Sequence, residues 1–352
     1  MSNIIIREGT RADNEGLINL TSLTPMIGKI SLRIDRNPDF FRLLELRGSS
    51  FVIVAELNGN IIGSYSASGY TVLINGEPET AYYLADFKVH PDHRKSTVAA
   101  RLARAMIQRL ESVNADLLFC TAVFGNRDVM PFFRGRALFP AADDAGIFRV
   151  LQILPTPFRP RTERFQMARV PVEESVVGFF NDFMKHYQLA PVYSGSSFED
   201  STLITAALKN ETVAALALFD AGTAKQDVLT GLPFFLKILV GLTGAVNFIF
   251  PVARLPKINE PLRILYIKSF AFKPGHEEAL KPLIRMARNM AFEKNYTFLA
   301  IGIHEKDPFL KIFSGYPKFI FKSMGFLTSL KNNAGKISDI QGGVPFEDYS
   351  LV

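Results

Sequence analysis

The chain has few of the residues on which many common site types depend. Its 352 residues include one cysteine and five histidines. A single cysteine, Cys120, excludes an intramolecular disulfide, and its place in the apolar run 117–123 is typical of a buried strand. The histidines lack the spacing of metal ligands, and neither a Gly-x-Ser-x-Gly nor a phosphate-binding Gly-Lys-Ser/Thr pattern occurs. We therefore expect no metal site and neither of those two chemistries.

Charge is sparse as well. Charged residues make up 21% of the chain and hydrophobic residues 48%, which is typical of a globular protein without long disordered tracts. The net charge of +6 favours anionic ligands, but the basic residues are scattered rather than clustered among aromatics, so nucleic acid is not an expected partner. The apolar run near residue 4 is too short for a signal peptide, and a cytoplasmic location is expected.

The length favours two domains, because 352 residues exceed the usual size of one hydrophobic core. A proline-rich and basic segment begins at Leu154 and reads as a linker. We therefore predict a first domain over 1–150, a linker over 151–164 and a second domain over 165–352.

The first half alternates strands and helices. A strand at 4–7 is followed by a helical pattern that opens at Thr10, and two hairpins are indicated by the turns at 58–60 and 75–76. A further strand is predicted at 116–123. This order fits an α/β layer built on a mixed sheet.

The stretch 82–102 organises the first half. Residues 82–89 read as a strand, Pro91 ends it, and an i, i+4 apolar pattern predicts a helix from Val98. The loop between them, Arg94 to Ala99, precedes a helix N-terminus with orphan amides and partial positive charge. This arrangement predicts an anion site.

The run from Asp86 to Ala99 resembles the acyl-coenzyme A motif of the GNAT N-acetyltransferase superfamily, whose loop is written [Gln/Arg]-x-x-Gly-x-[Gly/Ala]. Arg94 and Ala99 match it, whereas Thr97 stands where the family most often has glycine. The resemblance implies acetyl-CoA, or another acyl-CoA, as cofactor. The implied cofactor-binding residues are Phe87, Lys88, Val89, Arg94, Lys95, Ser96, Thr97, Val98, Ala99, Asn126 and Phe133.

The resemblance also raises the question of a general acid. In the family, an asparagine at the place of Asn126 is commonly followed seven residues later by a tyrosine that protonates the departing thiolate. The count here reaches Phe133, which cannot donate a proton. Tyr82, Tyr83 or another tyrosine remain as substitutes, and a thiolate whose pKa lies near 8.5 can also leave without a dedicated acid.

Asp86 is the candidate catalytic residue. The resemblance places it directly before the strand positions whose amides pair with the pantetheine arm. A carboxylate there either takes a proton from an incoming ammonium or anchors a loop by hydrogen bonds, and both roles stay open.

The second half repeats the order of the first. The segment 265–274 echoes 84–91, a helix is predicted through 280–290, and a strand follows at 296–303. The loop at 275–279 is about three residues shorter than its counterpart and carries two carboxylates, which repel phosphate. We therefore expect two tandem GNAT-like domains, each a mixed, mostly antiparallel sheet flanked by helices, the second degenerate and without cofactor.

The function predicted from these features is an acetyl- or acyl-CoA-dependent N-acyltransferase that acts on a small-molecule or peptide amine by direct attack on the thioester. The alternative is a catalytically silent acyl-CoA-binding module. The most apolar stretch, 231–250, contains Lys237 and two glycines, so we expect a helix or helix pair across the domain interface rather than a membrane span. Its role is either the wall of an acceptor or acyl pocket, or plain interdomain core.

Overall fold

The computed structural model describes residues 4–25, 31–126, 129–136, 139–160, 164–231 and 258–352. Its strands are β1 (Ile5–Glu8), β2 (Ser31–Asp35), β3 (Ser49–Leu57), β4 (Asn60–Ile74), β5 (Glu77–Val89), β6 (Leu117–Val123), β7 (Asp143–Ile153), β8 (Gln166–Val170), β9 (Ala190–Pro191), β10 (Ser201–Leu208), β11 (Glu211–Asp220), β12 (Gln226–Gly231), β13 (Pro261–Leu262), β14 (Ile264–Phe272), β15 (Phe298–His304) and β16 (Lys318–Ser329). Its α-helices are α1 (Asn14–Ser22), α2 (Arg42–Arg47), α3 (Val98–Ser112), α4 (Met130–Phe133), α5 (Glu174–Met184), α6 (Leu280–Glu293) and α7 (Ala334–Gly342).

The predicted hairpins are confirmed. Asn58 and Gly59 join β3 to β4, and Asn75 and Gly76 join β4 to β5, all four with positive φ. Positive φ at both central residues matches the twist of a two-residue hairpin, and asparagine and glycine tolerate it best. The predicted helix over 231–250 lies outside the described residues apart from Gly231. Among the helices that are described, none is long and apolar enough to cross a membrane.

Thirteen of the described strands form one sheet. Its order is β1-β3-β4-β5-β6-β16-β7-β15-β14-β11-β10-β8, with β9 paired to β4. Most neighbours are antiparallel, while β5 with β6 and β14 with β15 are parallel. The strands β3 to β6 and their counterparts β10, β11, β14 and β15 follow the same order, so the predicted structural repeat is confirmed.

Each half packs one long helix against its own part of the sheet. Helix α3 buries Val98, Leu102, Met106 and Leu110, and a Cβ at Gly63 of β4 would lie 2.9 Å from both Val98 and Leu102. The lack of a side chain there lets the helix approach the sheet closely. Helix α6 presents a similar apolar face, formed by Leu280, Leu283, Ile284, Ala287 and Met290.

The two halves exchange strands. Strand β7, from the first half, lies between β16 and β15, while β16, from the second half, lies between β6 and β7. Residues 151–153 of the expected linker are therefore strand, and Leu151 and Ile153 are buried. Strand pairs thus cross the boundary between the two halves. The division of the chain into domains 1–150 and 165–352, joined by a linker at 151–164, stays a prediction.

A second, three-stranded sheet also joins the halves. Strand β12 pairs with β13 and with β2, so that Asp227 faces Ile34 and Gln226 faces Asp35. This places Arg36, directly after β2, next to Lys225, directly before β12. The junction of the halves is thus held by backbone hydrogen bonds on two sides.

We expect residues 1–150 expressed alone not to fold to a native state, because β6 then lacks β16 and β7 lacks both neighbours. The full chain should unfold in urea in one transition, measured by circular dichroism. A fragment with native near-ultraviolet signal and its own cooperative unfolding would contradict this.

Candidate functional site

Strands β5 and β6 pair over a short segment and separate towards their C-terminal ends. The space between these C-terminal ends is called the first gap. Their parallel pairing covers only residues 81–83 with residues 117–119. Beyond Tyr83, the six residues 84–89 of β5 are each half-buried. Within the described chain, no strand pairs with them on the edge of β5 that faces β6. Backbone amides of the predicted residues Phe87, Lys88 and Val89 therefore belong to the strand end that borders this gap.

Strand β5 contains a β-bulge at Asp86. The register shifts between Ser64, opposite Lys88, and Ser66, opposite Ala85, so two residues of β5 oppose one of β4. Asp86 has a φ of 50°, a left-handed conformation that aspartate tolerates better than most residues. The Ser64 hydroxyl donates to the Asp86 carbonyl at 2.8 Å, which fixes the bulge.

The Asp86 carboxylate is paired inside the protein. Arg36 Nη2 donates to both of its oxygens, at 2.9 and 3.0 Å, and Ser66 Oγ donates at 3.1 Å. The Arg36 and Asp86 side chains are only 4% and 7% exposed. Within the described residues, Arg36 Nε and Nη1 have no hydrogen-bond partner. This pairing favours the anchoring role for Asp86, while its assignment as a catalytic residue stays a prediction.

The predicted anion loop is exposed and basic. After a 3-10 turn at Pro91–His93, residues 94–97 are exposed, and α3 begins at Val98. In the described part of the chain, Arg94 and Lys95 make no ion pair. Thr97 has a φ of −80°, so this position does not require the glycine that is usual in the motif.

The start of α3 completes this loop. The Ser96 hydroxyl accepts from the Val98 amide at 3.3 Å and donates to the His93 carbonyl at 2.7 Å. The first helical turn leaves the amides of Ala99 and Ala100 without intrahelical acceptors. Two cations that make no ion pair within the described residues thus lie in the loop directly before these amides, an arrangement that suits a phosphate-bearing ligand.

Aromatic rings surround Phe87 at the end of β5. Its ring centroid lies 5.1 Å from that of Tyr65, 5.3 Å from Phe132 and 4.8 Å from Phe139. Phe133, the residue at the place of the usual acid, stacks on Phe326 of β16 with centroids 3.8 Å apart. These contacts bring α4 to the end of β5.

Tyr83 lies where the first gap begins. Its hydroxyl lies 2.9 Å from the Thr121 hydroxyl of β6, and its ring lies under the Arg47 guanidinium, 3.7 Å from the centroid. Burial raises the pKa of Tyr83 well above its usual value. Tyr82 instead packs with the core residues under α3. Of the two tyrosines considered from the sequence, only Tyr83 lies at the boundary of the gap.

Cys120 lies on β6 one residue beyond the paired segment, and thus also beside the first gap. Burial raises the pKa of its thiol to about 12. A thiol in this state is a poor nucleophile at neutral pH, because the thiolate is the reactive form. The arrangement therefore does not favour an acyl-cysteine intermediate.

The corresponding space in the second half, between β14 and β15 beyond Tyr266 and Ala300, is named the second gap. All nine residues of β14 are buried. Phe270 and Phe272 pack against Phe183 of α5 and against rings of the 3-10 helix Pro308–Phe313. The loop before α6 carries Glu277 and Glu278, and Glu278 pairs with Arg164 at 2.5 Å. The second half thus lacks both the half-exposed strand end and the basic loop.

Sequence reasoning missed two buried cations, one of which, Arg36, is the partner of Asp86. Arg36 lies fifty positions away, and no spacing rule connects the two. Buried Lys225 donates from Nζ to the carbonyls of Tyr349, at 3.2 Å, and Val352. Burial lowers the pKa of Lys225 to about 8. Only the fold brings these residues together, since their segments show no shared motif.

We expect Asp86→Asn to lower the free energy of unfolding by about 3 to 5 kcal/mol, because it leaves the buried Arg36 charge without its partner. Urea unfolding measures this. Asp92→Asn is the matched control, since that side chain is 83% exposed, and it should change stability by less than about 0.5 kcal/mol. Equal stability of the two variants would contradict the anchoring role.

We expect the single cysteine to react with iodoacetamide more than about 100-fold slower than free cysteine at pH 8, because so little thiolate is present. The rate should keep rising with pH until about 12, and unfolding in urea should restore ordinary reactivity. Mass spectrometry follows the modification. Rapid labelling of the native protein would show that Cys120 is a reactive thiol.

Comparisons with known proteins agree with this architecture. Residues 22–137 match the model of the acetyltransferase (GNAT) family. Saccharomyces cerevisiae N-myristoyltransferase with bound myristoyl-CoA is 11% identical, with a TM-score of 0.61 over 92% of this chain and 82% of that one. A GCN5-related N-acetyltransferase from Anabaena variabilis is 9% identical, with a TM-score of 0.51 over 92% and 72%.

A probable N-acyltransferase from Enterococcus faecalis is 10% identical, with a TM-score of 0.53 over 92% of this chain and 72% of that one. No curated protein sequence matches the chain. At these identities the structural likeness concerns the fold, while the family model identifies the segment that contains the first gap and the basic loop. Residues 22–137 are therefore similar to the acetyltransferase (GNAT) family, and the chain as a whole has a mixed α/β fold similar to that of N-myristoyltransferase.

Proposed function

We propose that the chain is an acyl-CoA-dependent N-acyltransferase with one active site, in the first half. The observation that carries this proposal is that an open strand divergence and an exposed basic loop before α3 occur together in the first half. The second half has the same topology but a buried strand end and an acidic loop.

The residues of the first half fit an acyl-CoA. Arg94, Lys95 and the amides at the start of α3 supply positive charge and donors for its phosphates. The unpaired edge of β5 at 87–89 supplies backbone groups for its pantetheine arm, as the family resemblance implies. When bound, acyl-CoA supplies an acyl group activated as a thioester.

The acyl chain length is not set by these contacts. The yeast structures similar in fold contain myristoyl-CoA, and the family model is that of acetyltransferases. Acetyl-CoA is our first candidate, because rings of Tyr65, Phe132 and Phe139 already crowd the end of β5 around Phe87.

The chain's own residues would act by orientation. The bulge at Asp86, held by Arg36, Ser64 and Ser66, fixes the end of β5 and so the amides that orient the reacting carbonyl. The raised pKa of the Cys120 thiol does not favour an acyl-cysteine intermediate, so we propose direct attack by a neutral amine. We place Asp86 as a positioning residue for this step rather than as its base.

The silent acyl-CoA-binding module stays as the second candidate. It is favoured by Phe133, which stacks on Phe326 and offers no proton, and by Asp86, whose carboxylate is already paired. Acceptor-dependent thiol release separates the two candidates. The enzyme should release coenzyme A thiol with at least one amine of a panel of small amines and peptides, whereas the module should bind acyl-CoA and release none.

We expect acetyl-CoA to bind at one site per chain, and Arg94→Glu to abolish saturable binding in calorimetry, because it reverses a charge at the phosphate site. His276→Glu in the second loop is the matched control and should leave binding unchanged. A stoichiometry near two, or equal loss in both variants, would contradict the assignment to the first half.

A further inference from the structure

A cavity of about 140 Å³ lies between the two halves and is named the interhalf pocket. Its walls come from α2 and β4 of the first half, and from β9, β14 and residues 347–351 of the second. Strand β9 closes one side through its pairing with β4 at Val72 and Leu73. The pocket is thus built by the contact of the two halves.

Two ion pairs line this pocket, and only one of them is also a hydrogen bond. Arg47 and Glu347 are buried and bonded at 2.9 Å, and Arg47 Nη2 also donates to the Leu351 carbonyl at 2.7 Å. Lys268 and Asp348 are also buried, but Lys268 Nζ and Asp348 Oδ2 are 3.7 Å apart, too far for a hydrogen bond. The first pair is satisfied internally, whereas the second is not.

Unused polar atoms collect at the second pair. Asp348 Oδ1 accepts from the Ser350 amide and hydroxyl, but Oδ2 has no hydrogen-bond partner among the described residues. The Tyr193 hydroxyl also makes no hydrogen bond within the described residues, although the residue is only 5% exposed and the Ser269 hydroxyl lies close by. Buried polar atoms without partners are costly, which suits a ligand that satisfies them.

The remaining walls are mostly apolar, with Thr71 and Ser197 as the polar exceptions. Their apolar part is formed by Leu46, Leu189, Pro191, Val192 and Leu351, beside the ring of Tyr70. Val192 is 39% exposed, so the pocket has an open side there. One water molecule needs roughly 10 to 15 Å³ of such space, so the cavity has room for about ten water molecules. A small amino acid has a similar number of non-hydrogen atoms.

We infer that the interhalf pocket binds a free α-amino acid with an apolar side chain. Its ammonium group donates to Asp348 Oδ2, its carboxylate accepts from Lys268 and the Tyr193 hydroxyl, and its side chain packs on the apolar wall. A zwitterion fits because the pocket offers one carboxylate and one ammonium that do not satisfy each other.

The pocket and the proposed acyl-transfer site are neighbours, because Arg47, in the pocket wall, lies 3.7 Å from the ring centroid of Tyr83 at the boundary of the first gap, but their other residues differ. Tyr70, in the pocket wall, lies four residues along β4 from Ser66, which binds Asp86, a separation of about 13 Å in a strand. Ser68 and Tyr83, which lie between them, are buried. Binding of the amino acid therefore needs neither acyl-CoA nor the basic loop.

Calorimetry on the full chain without acyl-CoA tests this with L-leucine, N-acetyl-L-leucine and L-leucinamide. Leucine should bind at one site per chain. The acetylated compound lacks the ammonium and the amide lacks the carboxylate, so each should bind at least about tenfold more weakly. No saturable binding of leucine at millimolar concentration, or equal binding of the three compounds, would overturn the proposal.

Variants locate the site. Asp348→Asn and Lys268→Met should each weaken leucine binding at least about tenfold, and Tyr193→Phe severalfold. Tyr193→Phe removes only the hydroxyl and keeps the buried ring, so its fold should be retained even if the charge variants are unstable. Arg94→Glu should leave leucine binding unchanged, which separates this site from the proposed acyl-CoA site. Unaltered binding in Tyr193→Phe and in any folded charge variant would place the ligand elsewhere and refute the assignment.

Discussion

The pairing of β16 with β6 and β7 is the contact on which the rest of the structure depends. Each half would otherwise end its sheet at an unpaired strand, and such an edge leaves a row of backbone donors and acceptors without partners. The exchange instead makes one continuous sheet. It also brings residues 344–352 across to α2, so that Arg47 meets Glu347 and the junction of the halves becomes polar.

The two halves show how one topology supports different interiors. In the first half the strand divergence stays open along 84–89, and the loop before α3 carries cations. In the second half Phe270 and Phe272 lie at the matching place and bury large apolar surfaces against α5. Burial of a phenylalanine side chain contributes about 1.5 to 3 kcal/mol, so the packing of these two rings stabilises the core of the second half.

Local signals predicted the elements well, because strands, turns and helix starts depend on neighbouring residues. The positive φ of Asn58 and Gly59, and the start of α3 at Val98, follow directly from such patterns. The pairing of Asp86 with Arg36 could not be predicted in this way, since the two residues are fifty positions apart and only the folded chain brings them into contact. The exchange of β7 and β16 was hidden for the same reason: a strand's pattern reports which of its faces is buried, but not which strand it pairs with.

The exchange also sets an order for folding during synthesis. Strand β6 ends at Val123, but the strand that covers its edge begins only at Lys318. A chain that emerges from the ribosome therefore carries an exposed strand edge, rich in apolar residues, until residues 318–329 have been made. Its vulnerability to aggregation would thus lie in the nascent chain rather than in the finished protein.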